Sequence, residues 1–263
     1  MIRVGVLGAS GRMGQMVCRA VADDPDLALV AAIDPQGDGA PIGRMIGHPE
    51  IDVRVSAELD TLLQAETEVI VDFTNPDAVM DNVRWAIDHA INIVVGTTGL
   101  GPADLEELND RLDHESRESN VIVVPNFAIG AVLMQQFAQE AAKHFPAVEI
   151  IELHHDGKVD APSGTALDTA MRMAKERESY SGPDGESLAG TRGGDIEGIR
   201  IHSVRLPGLV AHQEVIFGGP GQTLSIRHDS MDRTSFMPGV LLAIKEIHGR
   251  PGLTVGLDVL LGL

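Results

Sequence analysis

Residues 2–14 read IRVGVLGASGRMG. The run Ile2–Leu7 is short, apolar and rich in β-branched residues, which is typical of a buried parallel strand. Glycines follow it in the spacing GxxGxxG, a variant of the usual GxGxxG turn. We therefore predict a strand, a tight turn and a helix over about Met13–Ala22. Free backbone N–H groups at the start of such a helix suit a pyrophosphate, which side chains in the turn would obstruct.

A second strand is predicted over Leu27–Ile33, and Asp34 stands at its carboxyl end, twenty positions after Gly14. A carboxylate in this place can accept hydrogen bonds from the ribose hydroxyls of a dinucleotide. The alternative is an ordinary glycine turn followed by a turn or capping aspartate before Pro35. A carboxylate repels the extra phosphate of NADP and Pro35 offers no cation, although Arg12 could supply one. We predict a preference for NADH with some tolerance of NADPH.

Apolar runs at Val69–Phe73, Ile91–Val95 and Val121–Val124 continue the pattern, each of the first two followed by a polar turn and a helical stretch. Strands that alternate with helices predict a doubly wound parallel sheet of the Rossmann type. Ligands of such sheets lie beyond the carboxyl ends of the strands. The loops Gly96–Gly99 and Pro125–Ala128 are therefore candidates to line the nicotinamide half, although ordinary turn chemistry explains their glycine and asparagine equally well.

The pattern changes after Asn126. We predict helices over Ala131–Phe145, Ser163–Lys175 and Phe236–His248, and a long loop over Glu178–Gly198. Strand-like runs lie at Val148–Leu153, Ile199–Leu206, His212–Phe217 and Thr223–Arg227, which indicates an α+β domain with a mixed or antiparallel sheet. The predicted domains are residues 1–128, rejoined by the C-terminal segment at about 237–263, and residues 129–236.

Residues 149–166 read EIIELHHDGKVDAPSGTA and concentrate polar chemistry. His154 and His155 are adjacent at a strand end, so their side chains should point to opposite faces and not share a metal, and we predict no metal site. Lys158 can donate a proton or stabilise negative charge, and the segment Ser163–Thr165 opens a helix whose N–H groups suit an anion. Each residue alone has a structural explanation: a strand end, a solvated charge, a helix cap. The set together favours a site that binds and protonates a small carboxylate.

Composition limits the function further. The net charge of −19 argues against a nucleic-acid surface. The single cysteine, Cys18, excludes an internal disulfide and fits a reducing compartment. No apolar run is long enough for a membrane span, and the N-terminus lacks the layout of a signal peptide. We predict a cytoplasmic protein without nucleic-acid or membrane partners.

The sequence resembles the 4-hydroxy-tetrahydrodipicolinate reductase family, also called dihydrodipicolinate reductase. The resemblance rests on ELHH at residues 152–155 followed by KVDAPSGTA at 158–166, and it covers nearly the whole chain. It is supported by the glycine turn at 8–14, GTTG at 96–99, PNF at 125–127, HSVR at 202–205 and RHDS at 227–230.

The resemblance implies a two-domain enzyme, usually a homotetramer, that passes hydride from NADH or NADPH to a cyclic imine dicarboxylate. It implies that His154 is the acid/base residue, that Lys158 is the proton donor, and that His155, Gly164 and Thr165 hold the substrate carboxylates. The implied cofactor contacts are Gly8, Ala9, Ser10, Gly11, Arg12, Met13, Asp34, Gly96, Thr97, Thr98, Pro125, Asn126, Phe127 and Ala128. Pro35 departs from the family where some members carry an arginine, so the cofactor preference stays open.

Two other functions compete with this one. The first is a dehydrogenase of another small oxo or imino acid; a thiohemiacetal mechanism is disfavoured because Cys18 is the only thiol. The second is a dinucleotide-binding sensor without turnover. Such a sensor has no need of proton donors, so the cluster at 154–165 argues against it.

Overall fold

The computed structural model describes residues 1–114, 119–178, 180, 182 and 185–263. The chain forms two compact units. The first comprises Met1–Phe127 and Phe236–Leu263, and the second comprises Ala128–Ser235. The first unit is therefore assembled from two separate segments of the chain.

Strands and helices alternate along the chain from residue 2 to residue 174. The strands are β1 Ile2–Leu7, β2 Leu27–Ile33, β3 Val55–Ser56, β4 Val69–Asp72, β5 Asn92–Val95, β6 Val121–Val123, β7 Ala147–His154, β8 Gly194–Ile196, β9 Ile199–Arg205, β10 Ala211–Gly219, β11 Gln222–Ser230 and β12 Leu253–Val255. The helices are α1 Arg12–Asp23, α2 Ile42–Ile46, α3 Asp60–Gln64, α4 Pro76–Asp88, α5 Pro102–His114, α6 Ile129–Ala142, α7 Gly164–Ala174, α8 Met237–Glu246 and α9 Leu257–Leu261, with 3₁₀ turns at Arg233–Phe236 and Ile247–Gly249. Within the described residues, no helix has the length and apolar character that a membrane crossing requires.

The first unit contains a seven-stranded sheet in the order β12-β6-β5-β4-β1-β2-β3. Every pair of neighbouring strands in it is parallel. All residues of β4 and β5 are buried, as expected for central strands that helices cover on both faces. The strand order reverses at β1, and the crevice at such a point is where doubly wound sheets bind ligands.

The second unit contains a five-stranded sheet in the order β11-β10-β7-β9-β8. One face packs on helices α6 and α7 through apolar residues such as Ile150, Met173 and Phe217. Alternate residues of β7 are buried on this side, which follows from the two-residue period of a strand. The predicted fold class, a Rossmann-type sheet with a second α+β domain, is confirmed.

The prediction allowed a mixed or an antiparallel second sheet, and the pairing of its strands decides between the two. The runs predicted at 199–206 and 212–217 are not neighbours, because β7 lies between them and pairs parallel with β9 and antiparallel with β10. The sheet is therefore mixed. Residue patterns identify strands, but they do not specify which strands pair across long stretches of chain.

The predicted long loop at 178–198 also contains a strand. Gly194–Ile196 forms β8, which pairs antiparallel with β9 at the edge of the sheet. Its residues are largely exposed, so no apolar alternation marks it in the sequence. Residues 179, 181, 183 and 184 of this segment lie outside the described residues.

Candidate active site

The turn between β1 and α1 brings backbone segments into close contact. Gly8 has a φ of +74°, a left-handed conformation that favours glycine, and a Cβ there would lie 2.4 Å from the carbonyl oxygen of Phe73. A Cβ on Gly14 would lie 2.0 Å from the carbonyl oxygen of Gly8. Helix α1 begins after Gly11, which provides no side-chain cap. The turn is therefore a cradle with no side chain at Gly8, Gly11 or Gly14, beside helix N–H groups that suit a pyrophosphate.

Asp34 closes one side of this cradle. Its carboxylate accepts hydrogen bonds from the backbone N–H of Ser10 at 3.0 Å and of Gln36 at 2.9 Å. Each carboxylate oxygen can accept more than one hydrogen bond, so both retain capacity for a ligand hydroxyl. Asp34 thus ties the glycine turn to the loop after β2 and keeps acceptors at the crevice.

A cavity of about 410 Å³ lies beyond the carboxyl ends of β1, β2 and β4. Its lining is mostly apolar, with Asp34 and a few polar side chains as the exceptions. The lining residues are Leu7, Gly8, Gly11, Ile33, Asp34, Pro35, Gln36, Ala57, Leu59, Phe73, Thr74, Asn75, Ala78 and Asn82. This lining fits the adenosine half of a dinucleotide, which combines a flat apolar base with ribose hydroxyls.

A buried carboxylate organises the loops beside this cavity. Asp72, at the end of β4, is fully buried. It accepts hydrogen bonds from the Thr97 hydroxyl at 2.6 Å, the Thr74 hydroxyl at 2.7 Å and the Asn82 amide at 2.7 Å. The loop after β5 is therefore held by the end of β4. Sequence reasoning missed Asp72 because in the sequence it is only a polar residue at the end of an apolar strand.

Aromatic rings connect the two loops that were candidates for the nicotinamide half. The rings of Phe73 and Phe127 lie 5.6 Å apart between centroids. A Cβ on Gly96 would lie 2.4 Å from the Phe73 ring and 2.9 Å from the Phe127 ring, so only glycine fits there. Within the first unit, the structure thus brings the 96–98 and 125–127 loops together.

The remaining predicted cofactor residues surround these features. Ala9 and Ala128 are buried, Met13 and Asn126 are half-buried, and Arg12, Thr98 and Pro125 are exposed. Ala128 lies at the N-cap position of α6, in the second unit.

The second unit gathers a charged cluster around the end of β7. Glu152 is fully buried, and one of its oxygens lies 2.5 Å from Nδ1 of His154. Arg205, on the neighbouring strand β9, donates to both carboxylate oxygens at 2.8 and 2.9 Å. Burial lowers the pKa of His154 below its usual value; Glu152 counteracts this effect, while the charges of Lys158 and Arg205 reinforce it.

Lys158 lies in the loop that follows β7. Its ammonium donates to Asp160 at 2.7 Å, and this hydrogen bond lowers the pKa of the Asp160 carboxyl. The Lys158 side chain is only 23% exposed. His155 is exposed, whereas His154 is mostly buried. The two histidines are therefore in different environments, suited to different tasks.

Helix α7 begins next to this cluster. Ser163 caps it, since its hydroxyl accepts from the N–H of Ala166 at 3.2 Å, and the N–H of Ser163 itself donates to Glu152 at 3.3 Å. Gly164 is exposed, with open space around it. The first N–H groups of a helix have no acceptor within the helix, so Gly164 and Thr165 stand where an anion is favoured.

Sequence reasoning did not assign a role to Glu152 or Arg205. Glu152 follows Val148 and Ile150 on the inward face of β7, so strand alternation could have marked it as a buried carboxylate that needs a partner. The partner lies 53 positions away, and no local pattern points to it.

A parallel Rossmann sheet with a glycine cradle, joined to a second unit that carries a histidine, lysine and helix N-terminus, defines the class of NAD(P)-dependent oxidoreductases. The protein-family model for the N-terminus of dihydrodipicolinate reductase matches residues 2–127, and the family model for its C-terminus matches residues 130–261. The chain belongs to the dihydrodipicolinate reductase family, which confirms the resemblance noted in the sequence.

Individual relatives match this chain over nearly their full lengths. The 4-hydroxy-tetrahydrodipicolinate reductase of Nocardia farcinica is 52% identical, over 100% of this chain and 99% of the relative. That of Syntrophomonas wolfei is 51% identical over 98% of both. The dipicolinate-bound dihydrodipicolinate reductase from Paenisporosarcina sp. TG-14 superposes with a TM-score of 0.86 and 41% identity, over 98% of this chain and 99% of that chain. The amine dehydrogenase of Mycobacterium smegmatis, 18% identical with a TM-score of 0.68, shares the fold alone.

Proposed function

We propose that the chain reduces 4-hydroxy-tetrahydrodipicolinate, a cyclic imine dicarboxylate, to tetrahydrodipicolinate in lysine and diaminopimelate biosynthesis. NADH or NADPH supplies the hydride when bound. Membership of the reductase family supports the reaction, and the observation that carries the mechanism is the cluster of His154 and Lys158 beside buried Glu152. The dipicolinate bound to the Paenisporosarcina relative is a planar dicarboxylate similar to this substrate.

The first unit binds the dinucleotide in this proposal. The cradle at Gly8–Met13 holds the pyrophosphate and Asp34 accepts from the adenosine ribose. The loops Gly96–Thr98 and Pro125–Ala128 hold the nicotinamide half. Gly14 serves packing, because the space above it is occupied by the backbone of Gly8.

The second unit binds the dicarboxylate and supplies the proton. His155 and the N–H groups of Gly164 and Thr165 hold the substrate carboxylates, since each can donate a hydrogen bond to an anion. Conversion of the hydroxylated ring to tetrahydrodipicolinate adds a hydride and a proton and releases the 4-hydroxyl group as water, and Lys158 or His154 donates the proton. Burial lowers the pKa of His154, so its protonated ring gives up a proton more readily than an ordinary histidine does.

A direct assay separates this function from its rivals. We expect NADH oxidation at 340 nm only when freshly generated 4-hydroxy-tetrahydrodipicolinate is present. Binding of NADH with no turnover of any imino or oxo acid indicates a sensor, and turnover of another small oxo acid alone indicates a different dehydrogenase. A thiohemiacetal mechanism is disfavoured further, because burial raises the pKa of the Cys18 thiol to about 12.

NADH is the preferred cofactor in this proposal, with NADPH tolerated. Asp34 places negative charge where the extra phosphate of NADPH would lie, and residues 35–39 contain no lysine or arginine. Arg12, exposed at the start of α1, is the cation that permits some NADPH use. Asp34 therefore sets the preference.

Replacement of Asp34 by serine tests this assignment. The change removes hydrogen bonds to the ribose and also removes the repulsion of the phosphate. We expect the ratio of kcat/KM for NADPH to that for NADH to rise about 10-fold. A loss of ~1.4 kcal/mol of transition-state stabilisation for NADH alone changes this ratio tenfold. Parallel titrations with both dinucleotides measure it, and Asp52→Ser, at an exposed carboxylate of the same unit, is the control. An unchanged ratio contradicts the role of Asp34.

We also propose a homotetramer located in the cytoplasm. The face of the second sheet opposite α6 and α7 carries half-buried apolar residues, among them Ile151, Val204 and Ile216, and this supports association through that face. Sedimentation velocity should give a species of four times the 28.0 kDa chain mass. A monomer or dimer at micromolar concentration contradicts the tetramer.

A further inference from the structure

The carboxylate of Glu152 is fully buried and lies within hydrogen-bond distance of Arg205, Ser163 and His154. One oxygen, Oε1, accepts from Nη2 of Arg205 at 2.8 Å and from the N–H of Ser163 at 3.3 Å. The other, Oε2, accepts from Nη1 of Arg205 at 2.9 Å and lies 2.5 Å from Nδ1 of His154. A buried charge is tolerated only when it is compensated in this way.

Glu152 is ionised in this setting. Burial raises its pKa, but the hydrogen bonds from Arg205, Ser203 and His154 outweigh burial and leave the pKa of Glu152 below its usual value. Arg205 also donates to the carbonyl oxygen of Asp160 at 2.6 Å, which ties the loop carrying Lys158 to the same strand. The carboxylate is thus held in one orientation by a rigid two-point contact.

An ionised carboxylate can only accept hydrogen bonds, so Nδ1 of His154 must carry the hydrogen between them. The other ring nitrogen, Nε2, then has a free lone pair in the neutral ring and a proton to donate in the protonated ring. We propose that Glu152, held by Arg205, is a positioning residue that fixes His154 in the Nδ1–H tautomer and leaves Nε2 to exchange a proton with the substrate. The proposal rests on the acid/base role assigned to His154.

Glutamine has nearly the same shape as glutamate, but one of its two terminal atoms is an NH₂ group that donates hydrogen bonds instead of accepting them. If the amide NH₂ occupies the Oε1 position, it faces two donors, Arg205 and Ser163. If it occupies the Oε2 position, it faces only one unavoidable donor, Arg205, because His154 can present Nδ1 as an acceptor. The second arrangement is favoured, and it forces the neutral ring of His154 into the Nε2–H tautomer.

The tautomer is measured directly by ¹⁵N NMR of histidine-labelled protein at a pH where His154 is neutral, with its signals assigned by their loss in His154→Asn. We expect the Nδ1–H form in the unaltered protein and the Nε2–H form in Glu152→Gln. In the same variant kcat should fall about 10²-fold, the scale of general acid–base catalysis, with the KM for NADH changed less than about twofold. A purely structural role does not predict a tautomer change.

The same strand offers a matched control on its opposite face. Glu149 also contacts a histidine and an arginine, with Nε2 of His202 at 2.8 Å and Arg192 as the second partner, but it is half-exposed. In Glu149→Gln, the tautomer of His154 and kcat should both stay as in the unaltered protein.

The outcomes separate the two proposals. The Nε2–H tautomer in the unaltered protein overturns the positioning role, and so does a Glu152→Gln variant that retains Nδ1–H and full kcat. The first of these measurements needs no variant, so it decides the matter even if Glu152→Gln does not fold. Full turnover in His154→Asn instead overturns the acid/base role of His154 and leaves the tautomer result standing.

Discussion

Replacement of Lys158 by alanine is expected to lower kcat about 10²- to 10³-fold, within the range of general acid–base catalysis, while the Kd for NADH changes less than about twofold. The reason is a division of tasks. Lys158 belongs to the second unit, and the proposed dinucleotide contacts lie almost entirely in the first. Single-turnover kinetics and a fluorescence titration with NADH measure the two quantities.

The same variant makes a prediction for pH dependence. The positive charge of Lys158 lowers the pKa of His154. Without it the pKa of His154 rises, so the protonated ring persists to higher pH. In the residual activity of Lys158→Ala, the limb of the pH–rate profile that reports deprotonation of His154 should therefore lie at higher pH than in the unaltered protein.

Lys143→Ala is the control, because Lys143 is an exposed lysine of the same unit that also pairs with a carboxylate, Glu140, at 2.6 Å. It should leave kcat and the pH profile as they are. If turnover in Lys158→Ala survives within a fewfold, Lys158 is not the proton donor.

Replacement of Gly14 by alanine is expected to lower the free energy of unfolding by about 3 kcal/mol or more, at the upper end of overpacking effects. The added Cβ would lie 2.0 Å from the carbonyl oxygen of Gly8, and that atom belongs to backbone rather than to a flexible side chain. Helix α1 must therefore move away from the glycine turn. Affinity for NADH should fall as well, because the turn positions the helix N-terminus.

Urea unfolding and NADH titration measure the two effects. Gly249→Ala is the control, since Gly249 is exposed in the same unit, has an ordinary φ and has no atom within 4 Å of its added Cβ. It should change stability by less than about 0.5 kcal/mol. A loss below about 1 kcal/mol in Gly14→Ala means that the close contact is relieved without cost, which contradicts the packing role.

The candidate site was predictable where its chemistry is local. The glycine turn, Asp34 and the sequence from His154 to Thr165 each lie within one strand–turn–helix segment, and the structure places them at strand ends and helix starts. The strands Ile2–Leu7 and Leu27–Ile33 have their predicted bounds, while the other predicted elements shift by one to three residues. The alternation or succession of apolar residues along the chain is a short-range signal, so it can be recognised without knowledge of the fold.

The partners of buried charges were not predictable in the same way. Asp72 meets Thr97 across 25 positions, and Glu152 meets Arg205 across 53. Both contacts exist because strands pair with neighbours that are distant in the chain. Residue types give no indication of register, and a shift of one residue turns every side chain to the other face.

By itself, the sequence determined the family and the parallel sheet of the first unit, and it predicted which residues hold a dinucleotide, a carboxylate and a proton. These depend on short-range periodicity and on residue chemistry. Only the tertiary structure decided that the second sheet is mixed, that β7 lies between β9 and β10, and that a buried glutamate and its arginine partner lie beside His154. Hydrogen bonding between distant strands creates these contacts, and it arises only when the whole sheet has formed.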